Sequence, residues 1–472
     1  MNKFICFLFF LFFAQLNATE INFGISQNPQ NLDPRYARDA ISERIVDLVY
    51  EKIVYVDDNF GIKSNFFDIL NKNDQVYNLI YKGSKSYFHD GQPLNIDDIL
   101  FTIDLNRNDR LSRFYEDLKV IESVNLQGSN IKITLKNPDK NFLFKLAIPI
   151  LSSKHKGDSE VKIIGSNVFK YEFNNNKNTL IRNDGVKIIL HEVKNPNMRV
   201  LKITNSELDL VQNDIPLPLV GYLKSQKNVK TYSNFGNNVS YIGFNFNDTK
   251  ISNIHLRKAI KKAIDKTIII KNFFNENTLP ANQIFSNDHW CVENLPFNDF
   301  DLEEAKNEIL KSGLSLPVEL EFKTSADPFR IKIATILQNQ LKKIGVHIKI
   351  KSLDWGTFFR DIQAGNFQMY SLTWVGLNNP EVYERMFSAN YFPPFGLNRG
   401  RYSSDKMNLL LKDALKTNNW GAVIKEVDQE IAFLPLWFEG NFAATSWQIS
   451  NFNLSSNGSW NFLKTIQKND QN

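Results

Sequence analysis

Val318-Glu319-Leu320-Glu321-Phe322 alternates apolar and polar side chains, and Asp327-Pro328 then opens a helical spacing carried by Ile333, Leu337, Leu341 and Ile344. Gly345 closes that spacing, and Val346-His347-Ile348-Lys349-Ile350 alternates again. A period of two on either side of a period of 3.6, joined through a proline start and a glycine stop, reads as strand, helix, strand. Such a unit is a parallel crossover, so this part of the chain belongs to an α/β lobe.

Working outward, Leu256, Ala259, Ile260, Ala263 and Ile264 fall on one helical face behind Ser252 or Asn253, either of which suits the cap. A second helix begins near Asp301, buries Leu302, Ala305 and Ile309, and ends at Gly313. Ser240-Tyr241-Ile242-Gly243-Phe244-Asn245-Phe246 reads as a strand ahead of both. The N-terminal half is richer in short strand candidates, Val76 to Tyr81, Ile131 to Leu135 and Val186 to His191, separated by Asn, Asp and Gly. Asn174-Asn175-Asn176 reads as a hairpin turn.

The first residues carry one lysine, Lys3, and then Ile5-Cys6-Phe7-Leu8-Phe9-Phe10-Leu11-Phe12-Phe13-Ala14, an apolar run too short to span a bilayer comfortably. With Leu16-Asn17-Ala18 as a small-residue cleavage site before Thr19, residues 1–18 read as a signal peptide. Cys6 lies inside the apolar run rather than after it, so we expect a soluble exported protein and not a lipoprotein. After cleavage Cys291 is the only cysteine, which excludes an internal disulfide and leaves stability to the core.

Across 472 residues, 56 Lys and Arg against 51 Asp and Glu leave a net charge of only +5, with no clustered basic run, so nucleic acid is not an expected partner. Six histidines without ligand spacing, and the absence of Cys-x-x-Cys, Gly-x-Ser-x-Gly and Walker-type loops, leave no visible constellation for metal, acyl or phosphoryl chemistry. Asp97 and Asp98 follow Asn95 at the start of an apolar helical run, where carboxylates complement the helix dipole. His191-Glu192 begins like a zinc-protease motif, but position 195 is Asn. We expect no catalytic residues, no metal and no cofactor; a catalytic dyad assembled from distant residues would escape this test, so a secreted hydrolase stays open as a weak alternative.

The run Phe88-His89-Asp90-Gly91-Gln92-Pro93-Leu94-Asn95-Ile96-Asp97-Asp98-Ile99-Leu100-Phe101 resembles the signature of the family 5 extracellular solute-binding proteins of peptide and nickel ABC importers. It is joined in order by Asn31-Leu32-Asp33-Pro34, Leu48-Val49-Tyr50-Glu51, Leu256-Arg257-Lys258-Ala259-Ile260, Gln340-Leu341-Lys342-Lys343-Ile344-Gly345-Val346, Asp354-Trp355 and Leu434-Pro435-Leu436-Trp437. The resemblance implies an α/β fold of the periplasmic binding protein type II kind, two lobes joined by a hinge, with an extra subdomain inserted in the first. On that basis we expect lobe I over 19–238 with an insert over about 51–166, lobe II over 239–442, and a C-terminal return to lobe I over 443–472. It also implies a monomeric periplasmic receptor that captures a peptide or peptide-like solute between the lobes and hands it to ABC permease subunits. A sensor or chaperone of the same fold is the rival reading.

Relatives often place an aspartate shortly after the tryptophan of Thr373-Trp374-Val375-Gly376-Leu377-Asn378-Asn379-Pro380, to grip a ligand amine. Here no acid lies between Trp374 and Pro380. The candidate ligand contacts are therefore Trp374 as a rigid aromatic, the backbone of Val375 and Gly376 as an added-strand edge, Asn378 and Asn379 as polar groups, and Glu381 as the nearest carboxylate, whose place after proline equally suits a helix start. Arg385, Arg399 and Arg401 are candidates for a ligand carboxylate, each with a surface role as the alternative. We take Arg385 first because it is closest in sequence to the tryptophan. On the opposite lobe, Gln27, Asn28 and Asn31 precede Asp33-Pro34 and are either cleft or turn residues.

Overall fold

In the computed structural model, which describes residues 19–56, 61–71, 73–83, 85–155, 163–287, 289–295, 300–377, 379–394 and 396–469, the decisive stretch folds as its periodicity predicts. The strands Val318–Ser325 and Val346–Leu353 pair in parallel, Val318 opposite Val346 through Ser325 opposite Leu353. The helix Pro328–Lys342 crosses between them, burying Ile333, Ala334, Leu337 and Leu341. Its start is fixed by the Asp327 side chain, which accepts from the Phe329 and Arg330 amides, and Pro328 needs no partner for the amide it lacks.

That crossover is one edge of a six-stranded sheet, ordered Leu279–Pro280, Leu434–Phe438, Val239–Phe244, Met369–Trp374, Val318–Ser325, Val346–Leu353. The helices Ile254–Ala263, capped by Asn253, and Leu302–Lys311, capped by Asp301, pack on each other beside it. Gly313, at φ +68°, follows the second helix in the left-handed region expected of a C-terminal stop. This is the second lobe.

The first lobe is built on a seven-stranded sheet, ordered Val229–Asn234, Asn441–Ser446, Leu210–Gln212, Glu20–Ile25, Lys187–Glu192, Lys177–Arg182, Phe169–Asn174. Asn175 and Asn176 both have positive φ, 51° and 59°, and turn the last hairpin. Between the helix Ala40–Val49 and the strand Phe169–Asn174 lies a separate four-stranded antiparallel sheet, Phe67–Asn71, Val76–Tyr81, Asn130–Leu135, Ile121–Gln127, with its own apolar core. The helix Ile96–Asn108 buries Ile99 and Ile103 there. Asn95 and Asp98 close a reciprocal capping box at its start, and Asp98 also accepts from the Ser153 amide.

The chain passes between lobes twice, between Asn234 and Val239 and again through Glu439 and Gly440. Asn441 and Phe442, placed with the second lobe on sequence grounds, already pair with Asn234 and Ser233 in the first sheet. Glu439-Gly440 interrupts the apolar run from Leu434 to Ala444 at the crossing itself, so the first sheet is entered at Asn441 rather than after Phe442. The crossing segments touch: the Glu439 amide donates to the Asn238 carbonyl at 2.8 Å, and a Cβ on Gly236 would stand 1.8 Å from the Glu439 carbonyl oxygen. Residues 455–457 brace the crossing from the C-terminal side, accepting from Asn237, Asn238 and Asn441.

Cys291 is buried in the second lobe, 5 % exposed. Burial, helped by the nearby Glu293 charge, pushes its thiol up to about 12. Two outcomes are expected. At pH 8 the thiolate fraction is on the order of one in ten thousand, so a disulfide reagent will leave the native protein unlabelled and label it stoichiometrically in guanidinium; labelling of the native state at the rate of a free peptide thiol would contradict the burial. Gly236→Ala will force the crossing segments apart at a cost of about 1–3 kcal/mol, seen as a lower denaturant midpoint, whereas wild-type stability would mean that the hinge backbone adjusts freely.

Candidate ligand-binding cleft

At the hinge end of the second sheet, Val239 pairs with Trp374 and Ser240 with Thr373. This register sets the tryptophan ring parallel to Tyr241, with centroids 5.9 Å apart and planes inclined by 9°. The Arg399 guanidinium lies 4.3 Å from the Trp374 centroid and 5.4 Å from that of Phe359, and donates to the Tyr241 hydroxyl at 3.0 Å. Tyr241 in turn meets the Tyr370 hydroxyl at 3.3 Å, and burial holds the Tyr370 phenol well above its ordinary pKa. Trp374 is half-buried, and its indole N–H has no partner among the described residues.

Beneath this stack, Glu439 collects the donors of three elements. Arg330, from the first turn of the crossover helix, approaches it with both terminal nitrogens at 2.5 and 3.2 Å; Thr373 donates at 3.2 Å, and Ser240, itself 2.8 Å from Thr373, donates as well. Burial alone would raise the Glu439 carboxyl, but Arg330 and the two hydroxyls bring it below its usual value. Asp214 of the first lobe acts on the same cluster: after burial, its charge is the largest influence raising Asp327.

Farther from the hinge the lobes meet through ion pairs. Lys145 of the inserted subdomain sits 2.6 Å from Glu381 of the second lobe and 2.7 Å from Asp139 of its own. Burial would lower the Lys145 pKa, yet Glu381, Asp139 and Asp117 together hold it above its ordinary value. Beside it Arg385 pairs with Asp117 at 3.2 Å, and Lys119 stands 5.3 Å over the Tyr391 ring. On another side Lys224 pairs with Glu276 at 2.9 Å.

The residues singled out from sequence thus divide. Trp374, Val375 and Gly376 lie together where the second sheet reaches the hinge; Gly376, at φ +68°, donates its amide to the Asn238 side chain at 3.3 Å. Asn379 accepts from the Glu381 amide and shapes the turn into the helix Val382–Phe387. Asn378 lies outside the described residues. Glu381 and Arg385 are committed to the opposite lobe, so a ligand would have to displace Lys145 or Asp117 to reach them. On the first lobe Asn31 is used in a turn, accepting from the Asp33 amide, and Asn28 is tied to Glu192 and Asn178. Asn28 borders a polar hollow of about 520 Å³ with Lys177, His191 and Lys202. Gln27 is half-buried. Sequence reasoning passed over Tyr241, Arg330, Glu439 and Lys145, and had no means of preferring Arg399 to Arg385 or Arg401, the last of which donates to the Arg399 and Gln363 carbonyls. Among the described residues, no cluster of three or more His, Cys, Asp or Glu could hold a metal, and no helix is long and apolar enough to cross a membrane.

Residues 84–394 match the family of bacterial extracellular solute-binding proteins, family 5, middle region. The chain is 24% identical over 391 residues to di/tripeptide-binding protein 1 of Pseudomonas aeruginosa strain UCBPP-PA14, covering 72% of this chain and 71% of the relative. It is 23% identical over 454 residues to the oligopeptide-binding protein AppA of Bacillus subtilis strain 168, covering 86% and 82%. The solved AppA structure from Bacillus subtilis, in complex with a nonapeptide, superposes with a TM-score of 0.87 at 18% identity over 96% of this chain and 99% of that one. NikZ from Campylobacter jejuni, in complex with Ni(L-His), gives 0.83 at 21% identity over 95% and 99%.

The ion pairs between lobes are a latch whose removal is measurable. Glu381→Gln removes one charge-assisted hydrogen bond from the closed arrangement, about 1.5–3 kcal/mol, and leaves Lys145 its Asp139 partner when the lobes part. The radius of gyration in small-angle scattering should rise relative to wild type; an unchanged radius would mean that Lys145 and Glu381 do not hold the lobes together.

Proposed function

The chain belongs to the bacterial extracellular solute-binding proteins of family 5, and from that premise we propose that it captures a peptide or peptide-like solute between its lobes and delivers it to the permease subunits of an ABC importer. It does so as a monomer in the periplasm, exported by a signal peptide that is cut away, without a lipid anchor and without breaking a bond in its cargo. The observation that carries this reading is the Tyr241, Trp374 and Arg399 stack, set at the end of the second sheet beside the hinge. A rigid aromatic there offers a large contact area at little entropic cost. Beside it, the backbone of Val375 and Gly376 supports pairing with an extended ligand, a mode that tolerates varied side chains.

A free ligand amine is not gripped by an acid after Trp374, since none lies before Pro380, and Glu381 is taken by Lys145. Closure on the ligand follows from differential affinity: contacts made from both lobes exist only when the lobes are together, so the solute stabilises that state and with it the surface offered to the permease.

Native mass spectrometry of protein purified from its own host, followed by denaturation, will release the trapped solute. Peptides are the expected cargo, and Trp374→Ala should lower their affinity at least tenfold, the loss typical of removing an aromatic anchor. Recovery of a solute with no peptide character, or of a chemically altered one, would overturn the reading.

A further inference from the structure

We propose that Lys145 of the inserted subdomain selects against ligand ammonium groups, so that the cleft closes on a solute whose amino end is acylated or absent. The inference rests on the solute-capture reading above and names the charge its ligand must not carry.

The carboxylate that follows the tryptophan loop is occupied by the protein's own cation when the lobes meet. Glu381, 6 % exposed, stands at the start of the helix Val382–Phe387 and belongs to the second lobe. Lys145 ends the short helix Phe142–Lys145 of the subdomain, where Asp139 accepts from its ammonium at 2.7 Å and from the Asn141 amide at 2.9 Å. Lys145 and Asp139 therefore travel together with the first lobe, and the 2.6 Å contact to Glu381 exists only when the lobes are closed. There the ammonium lies between one carboxylate from each side. Burial works against its charge, but Glu381, Asp139 and Asp117 outweigh burial and keep it a cation.

A ligand amine that reaches Glu381 is a second cation on one carboxylate. The Lys145 side chain is only 15 % exposed, so little water is left to screen the repulsion. Closure must then give up the bond from Lys145 to Glu381 or press two ammonium groups together. A solute without an amine avoids both. Discrimination thus comes from a penalty on the wrong ligand, and it acts at closure, because only closure brings Lys145 to the acid. The neighbouring acids give an amine no ready substitute. Arg385 holds Asp117 at 3.2 Å, and Lys119 pairs with Glu116. Glu384 accepts from the Tyr391 hydroxyl at 3.4 Å, and burial raises its carboxyl above the ordinary value.

The test compares a mixture of lysine-free tri- to pentapeptides bearing free amino termini with the same mixture N-acetylated. Thermal shift and native mass spectrometry read binding to wild type, Lys145→Arg, Lys145→Met and the double variant Lys145→Met with Asp139→Asn, which removes one charge of each sign. A single cooperative unfolding transition certifies each fold. Wild type is expected to bind the acetylated mixture on the order of ten- to a hundredfold more tightly. Lys145→Arg should keep that preference, and both Met variants should bind free amines at least as well as acetylated ones. Equal binding of the two mixtures by wild type, or a preference for free amines, would overturn the selection while leaving peptide capture standing; a preference for acetylated peptides that survives the loss of Lys145 would overturn it too. If neither mixture binds, peptide capture fails, and titration with glycinamide and N-acetylglycinamide decides the matter. Stabilisation of the Met variants but not wild type by glycinamide supports the selection, and the same response from all the proteins, including none, overturns it.

Discussion

Glu439 sits on the return crossing of the hinge, and the geometry of the cleft depends on what holds its carboxylate. Arg330 reaches it from the first turn of the crossover helix, Ser240 from the outgoing strand and Thr373 from the strand that ends in Trp374. One side chain on a two-stranded bridge is thus tied to three elements of a single lobe. A charged hydrogen bond contributes about 1.5–3 kcal/mol where a neutral one contributes about 1, and here several converge on one partly shielded carboxylate. The consequence is positional. The strand carrying Trp374 cannot slide against the hinge without giving up Thr373, so the tryptophan and the Arg399 stacked on it move with the second lobe as a fixed unit.

Given that fixed unit, the rest of the interface is a matter of opposing charges. Lys145, Asp117 and Lys224 from the first lobe meet Glu381, Arg385 and Glu276 from the second, each pair attracting across the gap. A molecule that must close on its cargo and open again needs an interface that is nearly balanced, since a change of a few kcal/mol in ligand affinity is all a bound solute supplies. The inserted subdomain takes part in it directly, because Lys145 and Asp117 both belong to it.

The local grammar of the chain was readable. The crossover from Val318 to Ile350, the Asn95 and Asp98 capping box, the hairpin at Asn175 and Asn176 and the glycine stop at Gly313 each depend on residues within a few positions of one another, where side-chain periodicity and capping chemistry act. Ordered motifs spread from Asn31 to Trp437 placed the chain in its family, and with it the two-lobed α/β architecture. The candidate site was read less well. Trp374, Val375 and Gly376 lie together beside the hinge, Asn31 and Asn379 are spent on turns, and Asn28, Glu381 and Arg385 are tied to partners far away in the chain.

The sequence by itself determined the crossover from Val318 to Ile350, the helices and short strands whose periodicity and caps are marked, and the family signature they carry, because those depend on spacing along the chain. Only the tertiary structure decided which charges meet. Nothing local distinguishes Arg399 from Arg401 or Arg385, all of which follow the same tryptophan; one stacks on it, one holds a loop and one latches the opposite lobe. A carboxylate's partner is chosen by distance in space and by burial, and both are properties of the packed lobes, set when strands separated by more than a hundred residues come into register.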